Sequence, residues 1–368
     1  MSENTLAGVA VERLQVSAYT VPTDSPESDG TLRWDSTTMI LVEAAGGGRC
    51  GLGYTYGDVA VGKFIESKLV GEVEGTDALS PPLAWRAMQG AIRNAGRSGV
   101  GAMAVSAVDI ALWDLKARLL DLPLAAVLPR FHDAVPIYGS GGFTSYSLEG
   151  LQEQLGGWVE EGIPRVKMKV GRHPEEDTER VRAAREAIGD GMELMVDANG
   201  AYTRKQALYW AERYVKFGVA WFEEPVSSND LEGLRLVRDR GPAGMDVAAG
   251  EYGWDVFDFH RMLEAGAVDV LQADATRCGG ITGLLPVDAL CKARSLPFSA
   301  HCAPQIHAHA CCAMEVLLHC EYFHDHARIE GMLFDGALSP KNGALTPDAS
   351  RPGLGIELKR ADAERYAA

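Results

Sequence analysis

Two lysines indicate what chemistry to look for. Lys167 and Lys169 stand two apart in E-G-I-P-R-V-K-M-K-V-G, positions 161–171, and a stretch that alternates and carries β-branched residues extends as a strand. That spacing puts both ammonium groups on one strand face, about 7 Å apart along the backbone. Like charges on one inward face repel, which predicts a depressed pKa for at least one of them and so a base usable near neutral pH. Alone, the same pattern also fits an edge strand with two lysines in water. Downstream come Asp197 in D-A-N-G, Glu223 in F-E-E-P, Glu251 in A-A-G-E, Asp274 in Q-A-D-A and His301 in S-A-H-C. Any one of these acids is as well explained as a solvated loop charge or a helix cap. Asp197, Glu223 and Glu251 gathered at one mouth would repel strongly unless a cation lay between them, and hard oxygen ligands suit Mg²⁺, or Mn²⁺, rather than zinc. An aspartate accepting from one imidazole nitrogen fixes the tautomer and raises the basicity of the other, so Asp274 with His301 supplies a second acid/base opposite Lys169. Glu224, next to Glu223, should point the other way, and Asn199 could reach the site from its loop.

The elements that must position these residues repeat regularly. From residue 135 onward, short apolar strands are expected at 135–140, 165–170, 193–197, 220–223, 246–249, 268–272, 297–299 and 327–329, separated by amphipathic helices. Strands alternating with helices predict a parallel sheet. Seven or eight such units in about 200 residues fit an α/β fold of the (β/α)-barrel, TIM-like kind better than a doubly wound sheet. Chemistry in a barrel sits at the C-terminal strand ends, where all of the residues above fall. Residues 1–130 lack that rhythm. Strands at 9–19 and 36–44, a glycine turn and a returning strand at 49–56 precede a helix at 102–120, which reads as a separate α+β domain. The barrel then spans 131–345, and a tail, 346–368, is expected to pack back on the first domain.

Composition narrows the function classes. The chain of 368 residues is 46% hydrophobic and 23% charged, and 35 Lys+Arg against 51 Asp+Glu give a net charge of −16. So acidic a surface repels phosphate backbones and anionic membranes, which excludes nucleic acid and membrane as expected partners. The first eleven residues lack a basic segment followed by an apolar core, so no signal peptide is expected. Seven cysteines without paired spacing suit reduced thiols and a cytoplasmic location.

The ordered set K-M-K, D-A-N, F-E-E-P, G-E, then Asp and His on successive strands resembles the enolase superfamily, and within it the mandelate racemase subgroup. The resemblance covers nearly the whole chain, an α+β capping domain followed by a modified barrel. It implies that Asp197, Glu223 and Glu251 hold Mg²⁺, that Lys169 is one base, tuned by Lys167, and that His301 with Asp274 is the other. Glu321, in H-C-E-Y, matches the acid that hydrogen-bonds the substrate carboxylate in this subgroup. The muconate-lactonising subgroup would carry a lysine where this chain has Asp274. The implied chemistry is removal of the proton α to a carboxylate, giving an enediolate. Return of the proton from the opposite side makes a racemase or epimerase. Loss of a β-hydroxyl makes a dehydratase that yields a 2-keto-3-deoxy acid from an aldonate or aldarate. Dehydratases outnumber racemases in the subgroup, which favours the lyase. The expected partner is a small carboxylate, and a homo-oligomer is expected.

By the same resemblance, specificity lies in two capping-domain loops, placed at 20–34 and 51–57. The first carries Arg33 and Trp34, the second Tyr54 and Tyr56, and hydroxyls with a cation suit a polyhydroxy acid. The tyrosines could instead pack between domains. Gly51, Gly53 and Gly57 fit a mobile loop, though glycine is also ordinary in a hairpin. Ser140, at the first strand end, could hydrogen-bond the substrate. Two remoter alternatives are a zinc hydrolase built on His307, His309, Cys311 and Cys312, and a barrel without catalysis. Gly279 and Gly280 precede a helix and carry no assigned phosphate role.

Overall fold

The structure is a computed structural model and describes residues 8–368, so most of the stretch read for a leader lies outside the described residues. A three-stranded antiparallel meander opens the chain: β1 (Arg13–Ser28), β2 (Arg33–Gly46) and β3 (Arg49–Tyr56). The helix Val100–Leu119 lies against this sheet and is buried on almost every side, as an apolar helix between two layers should be. Gly51 and Gly53 allow that contact. A Cβ at Gly51 would stand 2.3 Å from the Ala111 carbonyl oxygen, and one at Gly53 2.2 Å from the Ala111 nitrogen. These glycines therefore serve close approach, not the loop mobility expected of them.

Eight parallel strands follow: β4 (Val135–Gly141), β5 (Arg165–Lys169), β6 (Glu193–Asp197), β7 (Val219–Glu223), β8 (Asp246–Ala249), β9 (Val270–Ala273), β10 (Phe298–Ala300) and β11 (Leu317–Phe323). Each pairs with the next, and β11 pairs with β4, so the sheet closes. The fold is thus a (β/α)-barrel carrying an N-terminal capping domain. The eighth strand is not at 327–329. Those residues lie in the helix His324–Leu333, which buries Ile329, Glu330 and Leu333 at helical spacing, and the strand runs ten residues earlier through Glu321.

The other correction concerns 20–34, expected as a loop. β1 continues to Ser28 and, after an irregularity between Pro22 and Glu27, pairs Glu27 with Trp34 and Ser28 with Arg33. Only 29–32 turns.

The capping helix docks through polar contacts to the barrel helix Gly280–Ala293. Ser106 Oγ accepts from the amides of Gly279 and Gly280 at 2.8 and 3.1 Å, and Asp109 accepts from the Thr282 hydroxyl at 2.6 Å. Both glycines have positive φ, and a Cβ at Gly280 would strike Asp109. The tail lies against the capping sheet, with Arg360 paired to Glu43 and the Ala368 amide donating to the Ala18 carbonyl at 3.0 Å. No helix among the described residues is long and apolar enough to cross a membrane.

Candidate active site

Alternation along the barrel strands stacks the inward side chains in two layers. In β7, Trp221 and Glu223 share the inner face, and Gln272 lies on that face of β9. Both nitrogens donate to the same carboxylate oxygen: Trp221 Nε1 and Gln272 Nε2 each lie 2.9 Å from Glu223 Oε2. The other oxygen, Oε1, pairs with Lys167 Nζ. Ligand oxygens of Asp197, Glu223 and Glu251 all lie within 4.8 Å of one another and are buried. A buried all-oxygen trio of that size fits a hard divalent cation.

The lysines face this trio. Lys167 Nζ pairs with Glu223, with Glu321 at 2.8 Å and with Asp197 at 3.5 Å, while Lys169 Nζ lies 2.6 Å from Asp197 Oδ2. The expected depressed lysine pKa is not found. Burial pulls both lysines down, but Glu223 and Glu321 around Lys167, and Asp197 beside Lys169, overcome it and hold both above the ordinary value. Carboxylates outnumber ammonium groups here, so repulsion between the lysines is the smaller effect. Burial raises Glu223 to about 8 against the pull of Lys167.

Across the mouth, His301 Nδ1 lies 2.8 Å from Asp274 Oδ2, leaving Nε2 toward Glu251 Oε2 at 3.2 Å. Burial lowers the imidazole, but Cys302, Glu251 and Glu321 raise it well above its ordinary value, making it the cation. Glu321 is raised by burial and lowered further by Lys167 and His301, so it is ionised. As a carboxylate it accepts and does not donate, so a hydrogen bond from Glu321 to a substrate carboxylate requires its protonated form. The Ser140 hydroxyl is committed to Glu321 Oε1 at 2.6 Å and fully buried, so it does not face a ligand as expected.

Lys169, Asn199, Glu251, His301 and Glu321 border one cavity of about 440 Å³ between barrel and cap, within the range of small-molecule sites. Trp34 and Tyr56 border it too. The Trp34 indole N–H is taken by Glu27 at 2.6 Å, while the Tyr56 hydroxyl has no partner and its ring stacks on His326. Asn199 Oδ1 is likewise buried without a partner. Tyr54 does not line this cavity; it is fully buried and its hydroxyl donates to Glu330 at 2.6 Å, packing cap on barrel. Arg33 is exposed outside it.

Four further residues at the site escape the sequence reading. Arg277 lies 3.4 Å from Glu251 and 3.7 Å from Asp274, bracing a trio acid and the histidine's partner. Gln272 and Trp221 could have been found as the residues two before Asp274 and Glu223. Cys302 is adjacent to His301, with a thiol that burial and Glu321 push up. Glu224 also departs from expectation. Its left-handed backbone, φ 36°, breaks the alternation, and burial with Glu251 and Asp197 nearby raises its carboxyl well above the usual range.

The zinc alternative finds no support. His307 uses both nitrogens on backbone, Nδ1 with the Cys302 carbonyl at 2.7 Å and Nε2 with the Ala275 amide at 3.0 Å. His309 is held neutral by burial, at about 4.

A capped parallel barrel whose strands bring three acids, a lysine pair and a histidine–aspartate pair together at one mouth belongs to the enolase-type enzymes. Within that class, the chain belongs to the mandelate racemase / muconate lactonizing enzyme family: its N-terminal domain matches over residues 16–128 and the enolase C-terminal domain-like region over 150–363. It is 32% identical to 3,6-anhydro-alpha-L-galactonate cycloisomerase of Streptomyces coelicolor, covering 95% of this chain and 97% of that one. To L-talarate/galactarate dehydratase of Salmonella typhimurium it is also 32% identical, over 95% of this chain and 89% of that one. A solved structure of that dehydratase liganded with Mg and L-lyxarohydroxamate superposes with TM-score 0.89 at 28% identity, covering 100% and 96% of the two chains. A mandelate racemase/muconate lactonizing enzyme-like protein from Rubrobacter xylanophilus is 73% identical with TM-score 0.96, covering 98% of this chain and 100% of that one.

The grip of Trp221 and Gln272 on Glu223 leads to one expected outcome. Residues that orient a ligand typically contribute about 10–100-fold to metal affinity. Gln272→Leu should weaken Mg²⁺ binding by about that factor in a calorimetric titration, and an unchanged affinity would remove Gln272 from this role.

Proposed function

We propose that the protein is an acid-sugar dehydratase acting on an aldonate, a polyhydroxylated acid with a single carboxylate. Lys169 and His301 border the same cavity, and this carries the proposal: one group removes the α-proton and the other serves the β-position. Lys169 Nζ takes the proton from the α-carbon. The C–O bond at the β-carbon then breaks, the departing hydroxyl takes a proton from His301 Nε2 and leaves as water, and the remaining enol relaxes to a 2-keto-3-deoxy acid. An imidazolium is the form suited to that donation. Asp274 holds the ring so that Nε2, not Nδ1, faces the substrate. Asp197, Glu223 and Glu251 would hold Mg²⁺, which would supply positive charge against the substrate carboxylate as charge develops there and, as a nearby like charge, would lower the pKa of Lys169.

The roof of the cavity argues for a neutral tail. The capping domain contributes the hydroxyls of Ser36, Thr37 and Thr38 and two acids, Asp29 and Asp58, with no lysine, arginine or histidine among the described residues. On the barrel side Arg277 is committed to Glu251 and Asp274, and burial holds His326 at about 3 and neutral. A second carboxylate would meet acids without a free cation, which is unfavourable. Assayed for 2-keto product across aldonic and aldaric acids, the enzyme should turn over an aldonate with kcat/KM at least about tenfold above any aldarate, a difference of about 1.4 kcal/mol. Turnover confined to aldarates, or epimer without keto product, would refute the proposal.

A further inference from the structure

Beside the oxygen trio lies a second cluster with different chemistry. His301 Nε2 is 3.3 Å from Cys302 Sγ, Cys302 Sγ is 3.3 Å from Glu321 Oε2, and His301 Nε2 is 3.6 Å from Glu321 Oε2. A tetrahedral zinc ion, with Zn–S about 2.3 Å, Zn–N about 2.0–2.1 Å and Zn–O about 2.0–2.2 Å, spaces its ligand atoms about 3.4–3.6 Å apart. The three edges match that triangle to within a few tenths of an ångström. The histidine is also prepared as zinc ligands commonly are, its far nitrogen held by a carboxylate, Asp274, at 2.8 Å. Cys302 and Ala303 both have left-handed backbone, φ 52° and 40°, which is costly for non-glycine residues and here accompanies a thiol beside the cavity. All three residues border that cavity, which leaves the fourth position open to water or a ligand.

We propose that His301, Cys302 and Glu321 form an inhibitory site for a thiophilic divalent cation, Zn²⁺ being the natural occupant, distinct from the oxygen trio. Softness separates the two sites: thiolate and imidazole select zinc, while carboxylates alone suit magnesium. Binding forms a zinc–sulfur and a zinc–nitrogen bond as the S–H bond of Cys302 and the Nε2–H bond of the His301 imidazolium break, and both protons go to solvent. The ion then occupies the Nε2 lone pair and an oxygen of Glu321. The inhibition, unlike the binding, rests on the catalytic role proposed for His301.

The test uses the full chain in saturating Mg²⁺, with Zn²⁺ followed by equilibrium dialysis and Co²⁺ by absorption. The wild type should bind one zinc ion and, with cobalt, show a near-ultraviolet sulfur-to-metal charge-transfer band. Cys302→Ser should lose the band and weaken zinc binding at least about tenfold, and so should His301→Asn, with Mg²⁺ binding verifying the fold of each variant. Absence of the band in the wild type, or its persistence in Cys302→Ser, would overturn the site. Zinc that binds as described yet leaves turnover unchanged would overturn the inhibition while leaving the site in place.

Discussion

His301→Asn is expected to abolish dehydration while sparing exchange of the α-proton, and Lys169→Ala to abolish both. The asymmetry follows from the positions of the two groups. Lys169 ends β5 beside Asp197, whereas His301 follows β10 on the opposite side of the barrel, fixed through Nδ1 by Asp274. Asparagine keeps a polar side chain beside Asp274 but cannot deliver a proton as imidazolium does. Loss of a positioned acid or base typically costs about 10²–10⁴-fold, and 2-keto product should fall by that amount. In D₂O the His301→Asn enzyme should still place deuterium at the α-carbon of recovered substrate through Lys169, and Lys169→Ala should not. Full dehydration in His301→Asn would remove the histidine from the scheme, and exchange surviving in Lys169→Ala would remove the lysine.

Glu223→Gln should have an effect of similar size, by a different route. Glu223 is fully buried, its Oε2 accepts from Trp221 and Gln272, and its Oε1 meets Lys167. The amide keeps shape and volume but removes a negative charge from the trio. Mg²⁺ affinity should drop by more than the about 10–100-fold that loss of an orienting partner costs, and both exchange and dehydration should fall with it. An unaltered Mg²⁺ titration would show that Glu223 is not a ligand.

The residues at the strand ends were legible because a barrel converts sequence order into spatial order. A residue ending each apolar strand must reach the same mouth, so D-A-N, F-E-E-P and A-A-G-E could be placed together from one dimension. Three kinds of feature were not legible. The left-handed backbone at Glu224 breaks the two-residue alternation on which its placement depended. The eighth strand was misplaced because Ala327 and Ile329 alternate around Arg328 as a strand would, whereas L-L-H-C-E-Y-F carries polar residues that face the barrel interior. Tyr54 and Ser140 have the right residue type beside the site, yet their hydroxyls are committed to Glu330 and Glu321, carboxylates supplied by distant parts of the chain. The lysine pKa failed for a related reason: a two-residue spacing shows the neighbouring ammonium, but not the acids that other strands bring against it.

At the centre of the account is a buried trio of carboxylates that lets a divalent ion turn a sugar acid into a carbon acid strong enough for Lys169 to deprotonate. Deuterium incorporation at the α-carbon of an aldonate in D₂O, followed with Mg²⁺ and again after removal of divalent ions by a chelator, tests it most directly. The account predicts exchange with Mg²⁺, none without it, and recovery when Mg²⁺ is returned. Exchange at an undiminished rate in the chelated enzyme would contradict it.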